Sequence, residues 1–116
     1  MQLYSSLELA YWYILMCKTN STLCTNTKIQ SFISNVVSNM RSIYPDRQLL
    51  SDELIVTNGK SVYADSYTAL NVNGDRNIRF VPPNKIDEIN ERIDLDQDLS
   101  EVLRSTFKST LTPEWL

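Results

Sequence analysis

The sequence predicts an α+β fold, and three observations carry that expectation. Over residues 27–45 apolar side chains recur at steps of three and four for four turns, the period of one buried helix face. After residue 53 the period falls to two, with Asn58-Gly59 set between two β-branched runs. From Asn84 onward a helical period returns. Helices and strands segregated along one chain are the mark of the class. At 116 residues, 42% hydrophobic and 22% charged, the chain reads as one domain over 1–116 with material for a core of its own.

The first element is a helix over the opening residues. Ser5 or Ser6 can cap it, and Glu8 falls where the positive end of a helix favours a carboxylate. Leu3, Leu7, Ala10, Ile14 and Cys17 share a stripe, and Leu9, Trp12, Tyr13 and Met16 widen it to most of the circumference. A helix apolar nearly all round is either central to the core or covered on its second side by a partner. The run 9–17 is far short of the roughly 20 residues that span a bilayer, and the start lacks the basic residues of a secretory signal. A cytoplasmic protein with no membrane span is therefore expected. Cys17 and Cys24 are read as free thiols, and Cys17, on an apolar face, as an inert one with a raised pKa.

A polar loop over 18–26 leads to the second helix. There Ile29, Phe32, Ile33, Val36, Val37, Met40, Ile43 and Tyr44 form one face, and Ser31, Ser34 and Ser38 lie on the other. Thr27 is the expected N-cap, and Pro45 stops the helix. So short a connection predicts an antiparallel helix pair, expected to pack on one face of the sheet that follows.

Next comes a small antiparallel meander of three or four strands. Residues 54–57 and 60–64 flank the Asn58-Gly59 turn, 67–72 make a third strand, and 78–81 a fourth that Pro82-Pro83 ends. Two short C-terminal helices follow. One is capped by Asn84 and carries Ile86, Ile89 and Ile93. The other carries Leu99, Val102, Leu103 and Phe107, with Asp98 and Glu101 at capping-box spacing.

Composition excludes more than it assigns. There is no histidine, so the commonest general base and zinc ligand are missing. The net charge of −3 offers nucleic acid no general attraction. Asp94, Asp96 and Asp98 open like a calcium loop, but Leu99 stands where that loop needs glycine and Ser105 where it needs glutamate. Asp52, Glu53 and Asp65 are the acids away from helix ends, and none lies in a catalytic motif. No cofactor is expected. Eight acids and four bases from Asn84 onward, against six and seven before it, make the C-terminal third acidic.

The reading that remains is a non-enzymatic protein–protein interaction module. Its abundant asparagine fits a phage- or virus-encoded accessory or assembly protein. The surplus apolar surface of Leu9, Trp12, Tyr13 and Met16, with Trp115, is where a protein partner or a second copy is expected. The alternative is a nucleic-acid-binding module, in which Tyr63, Tyr67 and Phe80 stack bases on the sheet and Lys60, Arg76 and Arg79 meet phosphates.

Overall fold

The structure is a computed structural model and describes residues 2–111. Its elements are α1 (Ser6–Thr19), α2 (Asn26–Ile43), β1 (Leu54–Thr57), β2 (Lys60–Tyr63), α3 (Ala64–Leu70), a 3₁₀ turn (Asn71–Asn73), α4 (Pro83–Leu95) and α5 (Gln97–Leu111). The class is α+β, with five helices and one small antiparallel sheet of two strands. None of the described helices is long and apolar enough to cross a membrane.

Ser5 caps α1 through a capping box: its hydroxyl accepts from Leu7 N–H, and its own N–H donates to Glu8 Oε1 at 3.1 Å. A six-residue connection, which turns at Ser21 with φ 55°, leads to α2. Thr25 caps α2, two residues before the expected Thr27, by accepting from Lys28 N–H. The serine face of α2 is solvated, and Ile29, Phe32, Ile33, Val36 and Met40 are buried. Ile43, expected on that face, is exposed at the last turn.

Two expected strands are absent from the sheet. Residues 67–72 belong to α3 and the 3₁₀ turn. The helix wins there because its first free N–H groups have acceptors waiting. Asp65 N–H donates to Asp52 Oδ2 and Ser66 N–H to Ser6 Oγ, both at 3.0 Å. Ser66 and Leu70, four residues apart, then face the core. Residues 78–81 adopt no regular secondary structure. Ile78 N–H donates to the Cys24 carbonyl at 2.6 Å, Ile78 and Val81 turn inward, and Arg79 and Phe80 turn out.

The C-terminal helices close the core. Pro82 is the N-cap of α4 and Pro83 lies in its first turn, where proline needs no hydrogen-bond donor, so the helix begins ahead of Asn84. Asp96 stands before α5 and accepts from Leu99 N–H at 3.3 Å, which accounts for one acid of the calcium-like run as a cap. Leu99, Val102, Leu103 and Phe107 are buried. Phe32 stacks on Tyr13 (4.4 Å between centroids) and on Trp12 (5.9 Å), and Phe107 meets all three rings edge-on. α1 packs against α2, α3 and α4, and Phe107 of α5 reaches its Trp12 and Tyr13 rings, which makes α1 the central helix.

Candidate functional site

With the helices covering one another, the longest run of consecutive exposed large apolar residues among the described residues is on the hairpin. The hairpin forms because Asn58 (φ 50°) and Gly59 (φ 76°) adopt the left-handed pair that a tight two-residue turn demands. The register that results pairs Leu54 with Tyr63, Ile55 with Val62, Val56 with Ser61 and Thr57 with Lys60. One rung further, Ala64 N–H donates to the Glu53 carbonyl at 3.0 Å. Hydrogen-bonded and non-hydrogen-bonded pairs alternate in an antiparallel ladder. Positions 53, 55 and 57 therefore turn their backbone groups toward β2, and Leu54 and Val56 turn theirs away from it. No hydrogen bond from a described residue reaches that outer edge.

The side chains on this edge are apolar and uncovered. Leu54 is 56% exposed, Ile55 40% and Val56 77%. β2 is the inner strand: Val62 and Tyr63 are buried. Burial raises the Tyr63 hydroxyl above its ordinary pKa, against a hydrogen bond with Ser34 and the charge of Arg41. On the sheet face that Leu54 shares with Tyr63 lies a groove of about 200 Å³, lined also by Val37, Met40 and Leu49 and by the charged Arg41, Arg47 and Asp52.

The residues expected at a partner surface lie elsewhere. Leu9, Trp12 and Tyr13 are buried within the chain and Met16 is half-buried, because α2 and α5 cover the face assigned to a partner. Trp115 lies outside the described residues. Of the residues considered for nucleic acid, Lys60 and Tyr67 line one cleft of about 320 Å³ beside the start of α2. Tyr67 stands there on a helix, Tyr63 is buried, and Arg76, Arg79 and Phe80 are exposed on irregular chain. The two-stranded sheet offers no aromatic platform of the expected kind. The signal for the hairpin edge was present in the sequence. Leu54-Ile55-Val56 is an unbroken apolar run, and a two-stranded ribbon cannot bury both of its faces.

Two polar constellations complete the inventory. Asp52 accepts from Ser6 N–H (2.7 Å), Ser6 Oγ (2.6 Å) and Asp65 N–H (3.0 Å), while Ser5 Oγ donates to Asp65 Oδ2 at 2.7 Å. Asp52 and Asp65 thus hold helix starts, and Glu53 is exposed, with its backbone carbonyl in the ladder. Cys17 and Cys24 are both free and buried. A hydrogen bond from Cys24 lowers Cys17, against the effect of burial, and the same contact, with burial, raises Cys24. Cys17 is therefore not the raised-pKa thiol expected from an apolar helix face, since its neighbour in space is a second thiol.

Compared with protein-family models, curated proteins and solved structures, the chain matches none.

Proposed function

We propose that this chain is a non-enzymatic protein–protein interaction module, of the kind that serves as an accessory or assembly protein, and that it docks through the outer edge of β1. The observation that carries the reading is the run of three exposed apolar residues on a strand whose outward backbone groups are unpaired. Natural sheets normally blunt or cover such an edge, because it templates pairing with another chain. An added strand takes its affinity from main-chain hydrogen bonds and its specificity from pockets for alternate side chains. The groove beside Leu54 is such a pocket. The nucleic-acid alternative keeps four exposed groups, Lys60, Arg76, Arg79 and Phe80, without a surface that joins them to Tyr63.

A photo-reactive phenylalanine analogue at position 56, with a control at exposed Thr68, tests the proposal in the organism that makes the protein. Illumination is expected to yield protein adducts from position 56 and few from position 68. Adducts to nucleic acid alone, or none, would remove the interaction reading.

A further inference from the structure

Resting on that reading, we infer that the occupant of the β1 edge is a second copy of this chain, its own β1 added antiparallel about a two-fold axis through Ile55. The register follows from the backbone. Only Leu54 and Val56 send their N–H and C=O groups outward, so a symmetric pairing must oppose outward positions with outward positions, which places the axis on a residue. An axis at Leu54 would oppose Val56 with Asp52, which lies at a bend outside β1. An axis at Val56 would oppose Leu54 with Asn58, which the turn holds at φ 50°. An axis at Ile55 opposes Leu54 of each copy with Val56 of the other. All four outward groups of each copy then pair, and neither hairpin changes.

Side chains and charges agree with that register. Directly opposed residues share a face of the sheet, so the two Leu54–Val56 pairs form one apolar stripe. Each incoming Val56 meets the groove that Leu54 and Tyr63 line. On the other face Ile55 meets Ile55. Glu53 of one copy lies opposite Thr57 of the other, and Thr57 is paired within its own hairpin to Lys60. A carboxylate and an ammonium thus come one strand apart, twice, across the new seam. Within the chain both groups are exposed, and neither is in an ion pair with a described residue. The contact is self-complementary and closed, so it stops at two copies. Five residues a side, 53 to 57, cover less than the roughly 1,200 Å² of a permanent complex, so the dimer is concentration-dependent.

Sedimentation velocity on the full chain from micromolar to millimolar concentration reads this directly. The dimer fraction is expected to rise with concentration. Val56→Pro removes an outward N–H that the hairpin does not use, and is expected to stay monomeric. Glu53→Lys is expected to weaken association by roughly fivefold, and Glu53→Lys with Lys60→Glu to recover it, which a mere change in stability would not do. Ile55→Cys is expected to form a disulfide between copies under mild oxidation, since Cys17 and Cys24 are each only 1% exposed. A chain monomeric to millimolar concentration, with Ile55→Cys cross-linking no faster than Thr68→Cys, would overturn the second copy. If position 56 still yields adducts to other proteins, the interaction reading stands without it; if it yields none, both fall.

Discussion

Tyr4 shows how much a single side chain holds here. Its ring is fully buried, and its hydroxyl donates to Asp96 Oδ2 at 2.9 Å. Arg47 donates to both oxygens of the same carboxylate, and the Arg92 guanidinium lies 4.6 Å from the Tyr4 ring while pairing with Glu8. Burial, then the bond to Asp96, pushes the Tyr4 phenol up to about 12. Burial would also raise Asp96, but the bonds from Arg47, Tyr4 and Leu99 N–H outweigh it and hold the carboxyl below its ordinary range. The two signs differ. A raised phenol contributes stability that is whole below its ordinary pKa of 10.0 and is lost as pH rises through about 12. A depressed carboxyl contributes stability that is whole above its ordinary 3.8 and is lost as pH falls below it. Tyr4→Phe is therefore expected to cost about 2 kcal/mol at neutral pH. The gap to the parent chain should narrow between pH 10 and about 12. Urea titrations across that range check both. No gap at neutral pH would mean that Tyr4 acts by packing alone, since phenylalanine keeps the ring. Little of this was legible beforehand, since the contact joins residues 92 apart in sequence.

At the scale of elements, the starts of α1 and α3 share one carboxylate. Asp52 takes Ser6 N–H, Ser6 Oγ and Asp65 N–H together, so removing it frees groups at two helix starts at once. Asp52→Ala is expected to destabilise the chain by about 2 kcal/mol, at about 1 per cap, seen as a lower urea midpoint with an unchanged slope. Hydrogen exchange should quicken first at the amides of residues 6 and 65. If only the α1 amide responds, α3 is held by packing instead. This shared cap also explains where the sequence misled. Tyr67, Thr68 and Val72 favour strands, yet Tyr63, Ser66, Tyr67 and Leu70 already have helical spacing. The deciding acceptors, on Ser6 and Asp52, are distant in sequence and invisible to a local reading. Residues 78–81 failed as a strand for a plainer reason. Their buried positions, Ile78 and Val81, are three apart, which alternation forbids. Where local period and local chemistry agreed, as in α2, α5 and the Asn58-Gly59 turn, the elements were legible from sequence.

For the whole molecule, the decisive fact is that α1 has neighbours on two sides. A helix apolar nearly all round left two readings open, a core position or a partner, and α5 selects the first by bringing Phe107 onto Trp12, Tyr13 and Phe32. The candidate site moved for the same reason. Once Leu9, Trp12 and Tyr13 are covered from within, the run of exposed apolar residues on β1, Leu54-Ile55-Val56, becomes the candidate surface for another molecule. Phe107 is the test of this arrangement, because it is the ring through which the C-terminal third reaches the N-terminal pair. Phe107→Ala is expected to cost about 3 to 5 kcal/mol through lost burial and the cavity left among three rings. Helices that share one core unfold together, so circular dichroism and the fluorescence of Trp12 should still report one transition, moved to lower denaturant. If instead α5 melts alone while the Trp12 signal holds its midpoint, the C-terminal helix is an appendage. The face of α1 beneath it would then be open again to a partner.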